Sequence, residues 1–334
     1  MLKLNTFLLT FVLGWLPLQI QAQDVAAQEK VLRDQAAEAL WWGDFPELER
    51  LFALHRQNDT GPLTPYVRLR AVREGIGSVF RKHKDTGDRY YEELDRLTFE
   101  WVKQYPTSHL AHALHVRALY ARAWAYRGSG YNNAVPPKAW EDYYKHLGRA
   151  QDFVKLKAAI VLGESTGIVY TQMVGRALGW KSQQIWSLGK EGLKLNPDDL
   201  GLYEEAIPSM VPKWGGNSRD LDKFVREAVE ISGQQFGLGM YAFLYAQAAD
   251  SQYEHELFED SLADWSKMKV GWQDLLKYED TNKSRNQFAY FACIAKDKPT
   301  LIEQLAKIDQ PDYKGWGSNG ARTYETCKRW AMAT

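Results

Sequence analysis

The segment HLAHALH places His109, His112 and His115 three residues apart. Imidazole is a good ligand for zinc, copper or nickel. On a helix, however, this spacing spreads the three rings over an arc of about 120°. At most His109 and His112 face one ion, and the HExxH arrangement of a metallohydrolase is absent. They are weak metal candidates, to be weighed against histidines packed in a core or left at the surface. Adjacent acidic residues are plentiful: Glu92-Glu93, Asp198-Asp199, Glu204-Glu205 and Glu259-Asp260. Glycoside hydrolysis needs two carboxyl groups across a cleft. Neighbours on a helix point about 100° apart and make no such pair, so these runs read as solvated faces. No phosphate-cradling Gly-rich loop ends in Lys-Ser/Thr, and no GxSxG elbow is present. The sequence assigns no catalytic residue and no cofactor, and enzyme activity is left open with a non-catalytic role favoured.

Two loops carry residues suited to binding. In YRGSGYNNAVPP, Gly128 is placed to end one helix and Pro136-Pro137 to open the next. Arg127, Tyr131, Asn132 and Asn133 are available to hydrogen-bond a ligand from a rigid helical scaffold. The competing expectation is that Arg127 caps carbonyls or pairs with a carboxylate and simply locks the joint. In MVPKWGGNSR, Pro212 ends a helix and Gly215-Gly216 supplies a sharp reversal. Asn217 or Ser218 then caps the next helix, with Asp220 near its positive end. Trp214 is expected to pack into this joint, or alternatively to face a groove with Lys213 and bind an anion at the helix start.

These residues must be held by helices. From Asp24 onward the apolar spacing is that of helices of 10 to 25 residues joined by short loops, and no sustained period-two alternation marks a strand. Short loops imply antiparallel neighbours. Leu110, Leu114, Ala118, Ala121 and Ala125 form a stripe along one of them. Tyr241 and Tyr245, four apart, read as core. Two joints, VKQYPTSHLAHAL and LKLNPDDLGLYEEA, carry the helix–Pro–helix punctuation of tetratricopeptide hairpins, with Ser108 or Asp198 as caps. The strict 34-residue consensus is missing. The expected fold is all-α: stacked antiparallel helical hairpins forming a degenerate tetratricopeptide-like solenoid. Helices are expected over 137–162, 254–269 and 272–278 among others.

The chain has 334 residues with 42 basic and 42 acidic side chains, so nothing marks a nucleic-acid partner. Lys3 followed by an apolar run from Phe7 to Ile20 reads as a secretory signal peptide over residues 1–22, cut after Ala22. Gly14 and Pro17 interrupt the run, which is too short to span a bilayer. No stable membrane anchor is expected after cleavage, and residues 23–334 are expected to form a single domain. Removing Lys3 leaves 41 basic and 42 acidic residues, a net charge near −1. Export places the two cysteines, Cys293 and Cys327, in an oxidising compartment, where an even pair is a disulfide candidate. Two separate buried thiols are the alternative.

AWAYRGSGY (residues 123–131), VPKWGGNSRDLDKF (211–224), NQFAYFACIAKDK (286–298) and a terminal CKRWA occur in that order. The combination resembles a bacterial domain-of-unknown-function family with tetratricopeptide-like helices, in which Trp-x-x-Arg-Gly, Pro-Lys-Trp-Gly-Gly and Phe-Ala-x-x-Ala-Cys recur. The resemblance spans roughly Glu38 to Ala331. It implies an all-helical fold and brings neither an activity nor catalytic residues. The expectation is an exported, non-catalytic scaffold binding a protein or peptide partner in the bacterial periplasm, through Arg127, Tyr131, Asn132, Lys213 and Trp214. The abundance of Trp and Tyr keeps a second expectation open, a cell-wall glycan-binding protein or glycan-acting enzyme.

Overall fold

The computed structural model describes residues 16–57, 63–81, 87–128, 130–278 and 280–333. These residues fold as helices and connections, with no strand among them, so the chain is all-α. The helices gather into two compact units, Met1–Arg81 and Lys82–Thr334, where the sequence reading has one domain. The division falls in RKHKDTGD, residues 81–88, a stretch with no apolar side chain to bury.

The first unit contains α1 (Leu16–Trp42), α2 (Phe45–Ala53) and α3 (Pro65–Val79). Most of the proposed leader, residues 1–15, lies outside the described residues. Helix α1 begins inside the leader's expected span and continues across Ala22 without a break, because Pro17 is tolerated in a first turn and no Gly follows until Gly43. Gly43, with φ +70°, then reverses the chain, and Asp44 caps α2 by accepting from the Glu47 N–H. Leu32, Ala36 and Leu40 are buried on α1, as are Leu48, Leu51 and Phe52 on α2 and Leu69, Val72 and Ile76 on α3. Helices α1 and α3 pack closely because Gly75 carries no Cβ; one built there would lie 2.1 Å from the Arg33 carbonyl oxygen.

The second unit contains α4 (Gly87–Gln104), α5 (His109–Arg127), α6 (Pro137–Leu156), α7 (Ala158–Val161), α8 (Ser165–Ala177), α9 (Ser182–Leu195) and α10 (Gly201–Met210). It continues with α11 (Ser218–Phe236), α12 (Gly239–Ala248), α13 (Leu257–Asp260), α14 (Trp265–Leu275), α15 (Asn282–Ile294), α16 (Lys298–Leu305) and α17 (Gly320–Met332). Helix α5 packs against α4, α6, α7 and α8. It is accordingly buried on nearly every side, from Leu110 through Ala123, rather than along one stripe. Tyr241 and Tyr245 are core residues, with ring centroids 4.8 Å apart.

The local punctuation largely follows the residue types. Ser108 caps α5 by accepting from the Ala111 N–H. At the second joint the serving carboxylate is Asp199, which accepts from the Gly201 N–H at 3.0 Å, rather than Asp198. Asp199 is fully buried and Glu205 is largely enclosed beside Arg176, its guanidinium 2.5 Å away, so these two acidic positions do not belong to a solvated face. Burial drives the Glu205 carboxyl upward from its ordinary range, against the pull of Arg176.

The expected helices over 254–269 and 272–278 do not exist as such. A π-helical turn, Ala249–Tyr253, leads into a 3-10 turn, Glu254–Glu256, with Glu254 at φ +43°. The chain then breaks at Ser261, and Asp264 caps α14 by accepting from the Ser266 N–H. Helix α14 runs through Gly271 because a Cβ there would collide with α12, 2.4 Å from the Leu238 carbonyl oxygen. That glycine serves packing, not a helix end. Likewise α6 stops at Leu156, and α7 follows as a separate short turn.

Cys293 on α15 and Cys327 on α17 form a disulfide. Asp297 joins α14 to α16: it accepts from Trp265 Nε1 at 3.0 Å, Lys269 Nζ at 2.9 Å and the Thr300 N–H and hydroxyl. Burial alone would raise its carboxyl, but these donors hold it far below the usual carboxylate range.

Candidate functional site

The richest concentration of polar chemistry lies where α4, α5 and α6 meet. Asp95 on α4 is buried and accepts from two guanidiniums, Arg122 at 3.1 Å and Arg149 at 2.8 Å. His115 Nδ1 donates to Thr98 Oγ1 at 3.0 Å, since the Thr98 proton is directed to the Leu94 carbonyl. His146 Nδ1 receives an Arg149 N–H at 3.1 Å. Arginine is a donor only, so that nitrogen is unprotonated and the ring is neutral. Tyr126 stacks on His146 at 5.3 Å and donates its hydroxyl proton to Asp88 at 2.6 Å.

Burial pushes the His115 imidazolium down to about 4, and the neighbouring Arg149 adds to this against the pull of Asp95. His146 is also lowered to about 4, by burial first and then by Arg122 and Arg149. Both are neutral near pH 7 and enclosed, at 3% and 4% exposure, so neither meets a substrate as a base. The network has a consequence for stability. In the unfolded chain both histidines titrate near 6.5 and so bind more protons than the folded state between pH 6.5 and 4. Stability is therefore full above 6.5 and falls as the pH drops through this window. A fall to about 4 corresponds to roughly 3 kcal/mol per histidine, less than additive because the two share Asp95 and Arg149. Denaturant titrations at pH 7 and pH 4.5 are expected to differ by about 3 kcal/mol or more, and replacing both histidines with Gln is expected to flatten that slope.

The described residues do not gather the histidine triplet into a three-ligand site. His109 Nδ1 is spent on the Ile160 carbonyl at 2.6 Å and His112 Nδ1 on the Ser108 carbonyl at 2.8 Å. His112 Nε2 is buried without a hydrogen-bond partner, and burial lowers that ring's affinity for a proton. No group of three His, Cys, Asp or Glu side chains is placed to hold a metal ion among the described residues.

At the end of α5 the chain turns through the Arg127 loop. Gly128, at φ +70°, terminates the helix, its N–H returning to the Trp124 carbonyl. The Arg127 guanidinium lies over the rings of Trp124 and Trp140, at 5.0 and 5.2 Å. It donates to the carbonyls of Gly128 at 2.9 Å and Gly130 at 2.8 Å, and to the side-chain oxygen of Asn132. Arg127 and Asn132 are thus brought together, and their hydrogen bonds brace the loop. Tyr131 is the residue that the brace displays, at 88% exposure. Trp140 stacks on Tyr144 at 5.8 Å, and Tyr144 is 53% exposed. Neither Trp140 nor Tyr144 is evident as part of this loop in the sequence, because both come from the following helix.

The second loop is a separate feature. No hydrogen bond, ion pair or ring contact joins it to the Arg127 loop among the described residues. Pro212–Trp214 is a 3-10 turn, and Gly215 takes the left-handed conformation at φ +91°. Gly216 is required sterically, since a Cβ would lie 2.3 Å from the Met210 carbonyl carbon. Asn217 caps α11, accepting from the N–H groups of Arg219 and Asp220 at 3.0 Å and donating to Asp220 at 2.7 Å. The helix start is therefore capped by its own side chains at the N–H groups of Arg219 and Asp220. Trp214 is 49% exposed instead of packed into the joint. Lys213 is also exposed, and only its backbone N–H is engaged, by Gln252.

No family model, no curated protein and no solved structure matches the chain. No described helix is long and apolar enough to cross a membrane.

Proposed function

We propose that this chain is an exported, non-catalytic helical scaffold that docks a protein or peptide partner in the bacterial periplasm, using the Arg127 loop as its contact point. The observation that carries the reading is Tyr131, fully presented to solvent on a loop whose backbone is held by one arginine. A large aromatic on a backbone already braced has less chain freedom to lose on contact, which favours it as an interface anchor. The stacked Trp140 and Tyr144 rings add apolar area next to Arg127 of the same loop. The Cys293–Cys327 disulfide supports the export reading, because such bonds persist in oxidising compartments. The short joints at Pro106 and Pro197 support a tetratricopeptide-like stacking of the hairpins.

The glycan reading rests on the Trp140–Tyr144 ledge, whose stacked faces suit a sugar ring. Its broader motivation is weaker, since Trp101, Trp186, Trp272, Trp316, Tyr203 and Tyr290 are all core residues. One experiment separates the two. Full-length protein and its Tyr131→Ala variant are used as baits in periplasmic extract and, in parallel, in co-sedimentation with insoluble peptidoglycan. The docking reading expects a discrete protein partner whose capture drops at least tenfold in Tyr131→Ala, with no sedimentation. Sedimentation abolished by Trp140→Ala would favour the glycan reading. Capture unchanged by Tyr131→Ala removes the loop from the account.

A further inference from the structure

A second region, independent of the Arg127 loop, is built for a ligand. A cavity of about 450 Å³ opens beside the disulfide. Its lining includes Cys293 and Cys327, the carboxylates Glu256 and Glu259, and the cations Lys296 and Arg322. The lining comes from three stretches distant in sequence: the 254–260 turn, the end of α15, and α17. Of the two non-glycine residues with left-handed backbone among the described residues, Lys296 lines the cavity and Glu254 directly precedes His255 and Glu256, which line it too. Each costs on the order of 1 kcal/mol and persists only where its surroundings impose it. Next to Glu254, His255 is fixed by a 3.0 Å hydrogen bond between its Nδ1 and the Tyr290 hydroxyl.

The charges of this cavity carry the argument. Several lysines of this unit do pair with carboxylates, among them Lys190 with Glu227 and Lys269 with Asp297. In the cavity, two cations and two carboxylates line one space, and none of the four makes a hydrogen bond or ion pair through its side chain among the described residues. A simple anion would match the two cations and leave the two carboxylates unmatched, and a simple cation would do the reverse. A molecule carrying both an ammonium and a carboxylate satisfies both.

We infer that this cavity binds a small zwitterion, a free amino acid or the two ends of a short peptide, with the ammonium on Glu256 and Glu259 and the carboxylate on Lys296 and Arg322. Charge-assisted hydrogen bonds of this kind are the strong ones, and removing one partner typically costs tenfold or more. Thr323, Thr326 and Asn319 line the same space and offer hydroxyl and amide groups.

The test is calorimetric titration of the full chain, disulfide intact, with three probes: trialanine, free alanine, and trialanine acetylated at one end and amidated at the other. Saturable binding of trialanine or alanine is expected, with the blocked peptide at least tenfold weaker. Whichever of the two unblocked probes binds more tightly identifies the occupant as peptide or single amino acid. Arg322→Gln and Glu259→Gln, both exposed and therefore expected to fold, should each weaken binding at least tenfold. The inference is overturned if neither unblocked probe gives saturable heat at millimolar concentration. It is equally overturned if the blocked peptide binds as well as trialanine, or if both variants bind like the parent.

Discussion

Replacing Asn286 by Ala is expected to destabilise the second unit by about 3 kcal/mol or more, as read from the midpoint of denaturant unfolding at constant slope. Asn286 is fully buried on α15 and uses both ends of its amide. Its oxygen accepts from Trp316 Nε1 at 2.8 Å and the Asp312 N–H at 3.0 Å. Its nitrogen donates to the carbonyls of Asn282 at 2.8 Å and Gln310 at 3.2 Å. Together with the Asn282 side chain, which accepts from the Asp309 N–H and donates to the Gln310 carbonyl, Asn286 thus satisfies polar backbone of the irregular segment between α16 and α17. Removing the amide leaves the Trp316 indole N–H, itself fully enclosed, without an acceptor, at a cost of about 1 to 3 kcal/mol for each orphaned group. Asn286→Asp keeps the acceptor and loses the donor, so it should fall between Ala and the parent. If Asn286→Ala unfolds at the parent's midpoint, the hub has no energetic weight.

Opening the Cys293–Cys327 bond is expected to cost a similar amount. The bridge closes a loop with a sequence separation of 34 residues, for which the chain-entropy argument gives roughly 3 to 4 kcal/mol. Cys293→Ser with Cys327→Ser, or reduction by a dithiol that leaves two thiols and an oxidised reductant, should both lower the midpoint. Because the bridge holds α15 to α17, the loss should be concentrated there. Amide exchange should accelerate over 282–333 before it does in α4–α6. Uniform acceleration across the second unit would instead mean that these helices unfold together.

How much of this was legible in the residues depends on whether the deciding contact is local. Helix spacing, the Ser108 cap, the Gly43 and Gly128 stops and the Gly215-Gly216 reversal are set by a few consecutive positions, and the chain behaves as they indicate. The Arg127 brace was readable as an alternative, because Gly128 and Asn132 are near neighbours. That Trp140 completes it was not, since the partner sits on the next helix. The Asp95–Arg149 pair spans 54 positions, and nothing near either residue announces the other. Asp199 and Glu205 look like solvated charge in the sequence; only their neighbours on other helices show them to be interior. The segment from Ala249 to Asp264 misled the periodicity because its turns are π and 3-10, which carry apolar residues at spacings that mimic an α-helix. The disulfide cavity is assembled from stretches that no local pattern connects.

The most direct measurement for the docking account is site-specific photocrosslinking in living cells. A photoreactive phenylalanine analogue is placed at Tyr131 and, as the control, at Ile302, which is 47% exposed on α16. The account predicts one discrete protein adduct from position 131 that disappears when Arg127→Ala releases the loop, with no such adduct from position 302. The same adducts from both positions, or an adduct at 131 indifferent to Arg127→Ala, would contradict it.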